Sequence, residues 1–310
     1  MKSAGGHFPI PARLNLTLAV AIPVTVVGLL WSASRLPLVW AVPIGLIVSF
    51  VLLSNYALMH EATHDVLHPD PRVNDTVGMV LGWLFPMSFT VLKVTHTVHH
   101  CCNRTDHEMF DCYYPGDNRL VKWIQWYGLM FGLWWYLIPI GSLLLAVAPG
   151  WLHSPPFRQA RTTEVLFDDF GATEIRRLRI ETLLGIAFWM CLFLGLQLRW
   201  EVVLIAYALF AFNWSTRQYV THAFTPRNVR DGALNLRVSR PVGRLLLHGN
   251  WDRVHHQHPH IPWVHLPSIG EKEGYDTGYW RHYRRLWAGP RPCLEPGPAM
   301  LPRTVYRAMT

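Results

Sequence analysis

The chain has 310 residues, of which 51% are hydrophobic and only 15% are charged, and its formal net charge is +8. Soluble domains carry about 25% charged residues, so this composition indicates a membrane protein and argues against an ordinary soluble one. Its arginines lie beside apolar segments, which suits anionic lipid headgroups and argues against a nucleic-acid partner. The five cysteines follow no repeated spacing, which argues against a disulfide framework.

In chain order, the apolar segments predict two transmembrane helical hairpins, the first over about residues 14–58 and the second over about 183–221. Between them lie two shorter or interrupted apolar segments, 77–91 and 123–147, which we interpret as interfacial or re-entrant. The polar part 222–310 is predicted to form a cytoplasmic cap. The expected fold is therefore an all-α integral membrane protein in which the whole chain forms one domain.

Histidines are concentrated in groups with helical spacing. His60 and His64 are four residues apart, and His96, His99 and His100 follow the i, i+3, i+4 pattern. Residues at i and i+4 differ by about 40° in azimuth on a helix, so their imidazoles can reach one metal ion or two neighbouring ions. His222 and the adjacent pair His255 and His256 follow later in the chain. The candidate metal ligands are therefore His60, His64, His96, His99, His100, His222, His255 and His256.

Eight imidazoles are too many for one ion, since a structural zinc takes four ligands, so the pattern indicates two metals. Imidazole suits Zn, Cu, Fe and Ni, and the ligand type alone does not choose among them. All the histidines lie on one face of the membrane only if the segment 123–147 does not cross it as a single span. The convergence of ligands therefore favours the interfacial or re-entrant form of that segment.

The three groups resemble the three histidine boxes of the membrane fatty acid desaturase superfamily. His60-Glu-Ala-Thr-His64 resembles the first box and His96-Thr-Val-His99-His100 the second. The run from Asn250 through His255 and His256 to Pro259 resembles the third box, and His222 resembles the additional ligand that precedes it. The resemblance covers about residues 54–267. It implies two helical hairpins with a multi-histidine di-metal site at their cytoplasmic ends.

This resemblance also implies a non-haem centre of two iron ions, dioxygen as co-substrate, and electrons from a separate carrier of the ferredoxin, rubredoxin or cytochrome b5 type. The expected reaction is desaturation of a fatty acyl or lipid-like chain in the membrane. The alternative is hydroxylation or ketolation of another apolar substrate, such as a lipid, a carotenoid or a specialised metabolite. The run 259–267 is similar to that following the third box in some carotenoid ketolases and related bacterial hydroxylases. The expected location is the inner or plasma membrane of a bacterium, with the histidine boxes on the cytoplasmic side.

One position departs from the family pattern. Asp252 stands where the third box usually has His or Gln. Its carboxylate has three candidate roles: to ligate one iron, to orient a ligand imidazole, or to pair with Arg253 or another arginine. Asn250 is a further candidate, acting on the metal through a water molecule.

Two rival interpretations remain at this stage. His60-Glu61-Ala62-Thr63-His64 also satisfies the HExxH pattern of zinc metalloproteases, in which the glutamate is the general base. That interpretation gives no role to the second and third histidine groups. The other rival is a membrane protein that handles haem or copper.

Overall fold

The structure is a computed structural model that describes residues 8–155, 158 and 161–307, and within them the chain is mostly helical. The α-helices are α1 (Ala12–Arg35), α2 (Ala41–Thr63), α3 (Pro71–Leu84), α4 (Phe89–Cys102), α5 (Arg119–Met130), α6 (Leu133–Val147), α7 (Arg161–Leu166), α8 (Ala172–Leu196), α9 (Trp200–Gln218), α10 (Arg240–Leu245), α11 (Asp252–Gln257), α12 (Leu266–Glu273), α13 (Tyr279–Leu286) and α14 (Arg303–Arg307). Short 3₁₀ turns cover Leu38–Trp40, Asp106–Glu108, Pro149–His153 and Trp263–His265.

Four strands of two residues each fasten the C-terminal part to earlier loops. They are β1 (Cys112–Tyr113), β2 (Leu236–Arg237), β3 (Thr277–Gly278) and β4 (Arg291–Pro292). β1 pairs in parallel with β4, and β2 pairs in parallel with β3. These pairs hold the segments on either side of α13 against the rest of the molecule.

Within the described residues, three helical segments are long and apolar enough to cross a membrane, namely Ala12–Arg35, Leu38–Thr63 and Ala172–Leu196, and the number rises to five if each of two bent helix pairs is one span. The first two correspond to the predicted first hairpin. The predicted second hairpin, about residues 183–221, is covered by α8 and α9, and α8 begins before the predicted start because arginine is a good helix former and its first turns carry three arginines. α9 carries Glu201 and Arg217 and falls outside the described segments that meet this test. It is largely buried against α2.

Two further helix pairs are sharply bent. α3 and α4 meet at 101°, and α5 and α6 meet at 88°. Gly132 forms the second bend with a φ of 85°, and a Cβ there would lie 2.8 Å from the backbone nitrogen of Phe212. Only glycine adopts this conformation so close to another backbone without strain. The apolar segment 123–147 is therefore two helices rather than one continuous helix.

The bend between α3 and α4 is held by Glu181, a buried carboxylate on α8. The backbone N–H and the hydroxyl of Thr90 donate to it at 3.0 and 2.7 Å, and the hydroxyl of Ser88 donates as well. These donors lie at the N-terminus of α4, where the helix dipole favours a negative charge. Because α4 carries the second histidine group, Glu181 fixes the direction from which those histidines approach.

Replacing Glu181 with alanine leaves the Ser88 and Thr90 donors buried without their acceptor. We expect the free energy of unfolding to fall by about 1–3 kcal/mol, the usual cost of such groups. Thermal unfolding in detergent measures this. The matched control is Glu174→Ala, which removes a carboxylate that accepts only the Gly171 N–H at the exposed start of the same helix. Equal destabilisation by the two variants would contradict the assignment.

Candidate metal centre

All eight predicted histidines converge on one place in the structure. They form two groups in which the ligand atoms of each group lie within 4.8 Å of one another. The five-histidine group contains His60, His64, His96, His100 and His255, and the three-histidine group contains His99, His222 and His256. The rings of His100 and His256 lie 4.4 Å apart, so the two groups are direct neighbours.

Helix geometry distributes the ligands between the groups. On α4, His96 and His100 are one turn apart and face the five-histidine group, whereas His99 faces the three-histidine group. On α11 the adjacent residues His255 and His256 point about 100° apart and therefore enter different groups. Each of these short helices thus bridges both candidate metal positions.

The ring nitrogens of the five-histidine group crowd one another. The Nε2 of His96 lies 2.8 Å from the Nε2 of His64 and 3.0 Å from that of His100. The Nε2 of His100 lies 3.2 Å from that of His255. A cation shared by these nitrogens satisfies all four lone pairs at once, so the donor set fits a metal ion bound by imidazole.

Three of the ligands have a partner for the nitrogen that faces away from the site. The Nδ1 of His99 lies 2.7 Å from the carboxylate of Glu108, and the Nδ1 of His222 lies 3.3 Å from the carbonyl oxygen of Gly232. The Nδ1 of His64 lies 3.2 Å from the hydroxyl of Tyr306. Such partners fix the tautomer and orientation of metal-bound histidines.

Sequence reasoning missed all three partners. Glu108 lies nine residues after His99, and an acidic residue a short distance after a histidine box was the available signal. The Gly232 carbonyl and Tyr306 are brought to the site by the fold and carry no local motif.

Burial favours the neutral form of four candidate ligands that lie outside the helical spans. It lowers the pKa of His222 to about 3, and it places the pKa values of His64, His255 and His256 well below the ordinary value. Neighbouring histidines add to the shift in each case. Neutral imidazole is the form that binds metal ions, so these four side chains are in the form that accepts a cation.

Asp252 faces the three-histidine group. Its Oδ2 lies 3.2 Å from the Nε2 of His222, the nitrogen opposite the one directed at Gly232. Arg253 forms ion pairs with Asp276 and Glu273, at 2.5 and 3.6 Å. The predicted ion pair between Asp252 and Arg253 is therefore not formed. Because the carboxylate meets the ligand nitrogen rather than the outer one, its position favours the metal-ligand role.

Asn250 is also at the site, and it is anchored on one side. Its Nδ2 donates to the carbonyl oxygen of Leu236 at 2.9 Å, while its Oδ1 is buried without a hydrogen-bond partner. The Oδ2 of Asp252 and the Nδ1 of His256 are likewise buried without a hydrogen-bond partner. Three such atoms around one cluster are further evidence that this donor set suits a bound ion or its water.

Glu61, the general base in the metalloprotease interpretation, connects two parts of the fold by a hydrogen bond. Its carboxylate accepts a hydrogen bond from the backbone N–H of Trp263 at 3.0 Å. The Trp263 indole N–H donates in turn to Asn15, at 3.0 Å. Glu61 thereby joins the end of α2 to the loop that follows the third histidine group and, through it, to α1.

An apolar cavity of about 1050 Å³ adjoins the cluster. Apolar side chains of α2, α4, α6 and α9 form its walls, among them Leu53, Leu92, Ile138 and Trp214. Six of the eight histidines line it: His60, His96, His99, His222, His255 and His256. A ligand in this cavity therefore contacts both histidine groups with an apolar body against the walls.

Comparison with known proteins identifies the family to which the chain belongs. The model of the family described as "Fatty acid desaturase" matches residues 13–287. The chain belongs to the fatty acid desaturase family. A beta-carotene ketolase of Paracoccus sp. (strain N81106 / MBIC 01143) is 25% identical over 265 residues, which cover 78% of this chain and 88% of the ketolase.

Membership of the desaturase family confirms the predicted resemblance. Together with the apolar helices, it makes the chain an integral membrane oxidoreductase with a non-haem, multi-histidine metal site. The family match argues against the metalloprotease interpretation, and the two histidines of its HExxH motif lie in a group with three further histidines.

Asp252→Asn tests the ligand role of the carboxylate. Because an anionic donor is replaced by a neutral one at the group with fewer histidines, we expect metal affinity there to fall at least tenfold, while the five-histidine group keeps its ion. Elemental analysis after mild chelation measures this as a change from about two metals per chain to about one. The control, Asp276→Asn, removes a carboxylate that pairs with Arg253 outside the cluster, and it should retain both metals. Full retention by Asp252→Asn would exclude direct ligation.

Proposed function

We propose that this desaturase-family member is a di-iron enzyme that uses dioxygen to oxidise an unactivated C–H bond of a long apolar substrate. The observation that carries the proposal is the opening of both histidine groups into one apolar cavity. Apolar walls hold an apolar chain by excluding water, and six of the candidate ligands line the same cavity. The proposed location is a bacterial inner membrane, with the site facing the cytoplasm.

The five-histidine group would hold one iron, and the three-histidine group with Asp252 would hold the other. When bound, the irons supply redox chemistry with dioxygen that no side chain of the chain supplies. The protein's part is orientation: Glu108 and Gly232 hold the outer nitrogens of His99 and His222 so that their inner nitrogens face the site. The apolar walls place the substrate beside six of the ligands and keep bulk water from it.

Oxygen insertion, as hydroxylation or ketolation, is the outcome that we favour. Its support is the aligned ketolase, a relative over most of both chains, which acts on beta-carotene by its name. Desaturation of an acyl chain is the second candidate, supported by the description of the matching family. The two reactions use the same donor set and differ in whether the substrate gains oxygen or only loses hydrogen.

Iron content and product mass test the proposal together. The protein purified in detergent without chelators should contain about two irons per chain by elemental analysis. Given a reduced electron carrier and dioxygen, membranes containing it should convert an apolar substrate to a product heavier by oxygen, labelled when ¹⁸O₂ is supplied. A product lighter by two hydrogens would select desaturation. A single zinc and no iron would overturn the proposal.

Electrons are proposed to come from a separate, acidic carrier that docks on α13. This helix and the strand after it present Arg284, Arg285 and Arg291, all exposed. On the inner face of the same helix the Nε2 of His282 lies 3.1 Å from the carbonyl oxygen of Ala223, the residue that follows the candidate ligand His222. A carrier bound at these arginines is therefore one helix away from the three-histidine group.

Replacing Arg284, Arg285 and Arg291 with alanine should raise the KM for the reduced carrier severalfold at low ionic strength, and salt should reduce the difference. Carrier titrations at two salt concentrations measure this. The control removes three exposed arginines elsewhere, at Arg72, Arg176 and Arg177. If the α13 variant has the carrier KM of the unmodified protein, the arginines serve lipid contact instead.

A further inference from the structure

The C-terminal segment lies beyond the residues that the family model matches, yet it reaches the metal cluster. It folds back over α4, where the backbone N–H of Leu301 donates to the carbonyl oxygen of Cys101 at 2.9 Å. The Arg303 guanidinium pairs with the carboxylate of Asp169. These contacts carry α14 to the end of α4 and place Tyr306 beside the histidines.

Tyr306 contacts two ligands of the five-histidine group with one side chain. Its hydroxyl lies 3.2 Å from the Nδ1 of His64, and its ring stacks on His100 with centroids 5.3 Å apart and planes at 27°. The tyrosine is only 5% exposed and packs in a cluster with Val98, Cys101 and Cys102. It is therefore a fixed part of the wall around the site.

Tyr306 lies on the side of the cluster away from the cavity. Of the eight candidate ligands, His64 and His100 are the two that do not line that cavity, and they are the two that Tyr306 contacts. The histidines that line the cavity must leave room for a substrate on that side. No substrate needs to reach the opposite side of the cluster, so a protein side chain can close it.

We propose that Tyr306 is a positioning residue for the iron of the five-histidine group and that the C-terminal segment closes the rear of the metal centre. The inference rests on the proposed di-iron function. With the Nδ1–H of His64 donating to the tyrosine hydroxyl, the Nε2 lone pair faces the metal, and the stacked ring limits rotation of His100. Glu108 serves His99 in the same way for the other group.

Tyr306→Phe separates this role from packing, since phenylalanine keeps the stacked ring and loses only the hydroxyl. Loss of an outer-shell partner weakens metal binding about 10–100-fold, so we expect that loss at one of the two irons with the thermal unfolding temperature nearly unchanged. Glu108→Gln should act on the other iron. The neighbouring exposed residue supplies the control, Val305→Ala, which should leave both irons unaffected.

Mössbauer spectra of ⁵⁷Fe-loaded protein, with iron retention during chelation, identify the iron affected. We expect Tyr306→Phe and Glu108→Gln to change different quadrupole doublets and to release different irons. Unchanged spectra and retention in Tyr306→Phe would overturn the inference, as would both variants changing the same doublet. Should the unmodified protein hold no iron, the proposed function fails, and the same retention comparison with Co(II) decides the role of Tyr306 on its own.

Discussion

Eight imidazoles that share one buried site bring their ring nitrogens close together, and a cation among them accepts several of these lone pairs at once. The Nε2 atoms of His64, His96 and His100 already approach to 2.8 and 3.0 Å. Bringing such rings together costs free energy that the surrounding contacts must offset before any metal is bound. The helix ends and loops around the site supply contacts that offset this free energy.

The C-terminal ends of three helices offset part of this free energy once a cation is bound. His60 lies in the last turn of α2, His99 and His100 in the last turn of α4, and His255 and His256 in that of α11. The carbonyl ends of helices carry partial negative charge, so these termini stabilise a cation within the first turn. The same arrangement lets each helix stop at the site, which leaves room for ligands from several directions.

Sharp chain reversals follow α2 and α4, and another lies just after His222. Asp65, Arg104 and Phe224 each have φ near 60°, a conformation that is unfavourable for residues with a Cβ. Arg104 is held there by its buried pair with Asp111 at 2.6 Å and by the hydroxyl of Tyr219 at 3.0 Å. That hydroxyl also donates to the carbonyl oxygen of Glu108 at 2.6 Å. The strained turn after α4 and the carboxylate that orients His99 thus belong to one hydrogen-bonded network.

The sequence predicts the eight histidines as candidate ligands and the first two helices. The helices and the closely spaced histidines depend on local periodicity, whereas the lone His222 depends on the resemblance to the family. Helical spacing placed His96, His99 and His100 on one face, and long apolar runs marked α1 and α2. It did not identify the bend at Gly132 or the early start of α8. The φ of Gly132 is set by the close approach of α9. The start of α8 was missed because hydropathy marks where the apolar residues begin and not where the helix begins.

The division of the histidines between the two groups required the fold. Adjacent residues on one helix diverge by about 100°, so the sequence permitted several allocations of the same eight ligands. The structure assigns five imidazoles to one group and three imidazoles with an acidic neighbour to the other. Five neutral donors leave the charge of a bound divalent ion intact, whereas a carboxylate lowers it, so the two bound ions would differ in redox potential.

This asymmetry coincides with a difference in surroundings. The three-histidine group lines the cavity with all its members and adjoins, through Ala223, the helix that presents the exposed arginines. The five-histidine group meets the cavity with three members and is closed behind by Tyr306. One ion would therefore lie between the cavity and the basic helix, and the other against an enclosed protein wall. In the proposed di-iron enzyme, this arrangement would place one iron nearer the proposed carrier surface than the other, a separation that two identical metal positions on a symmetric bundle would not provide.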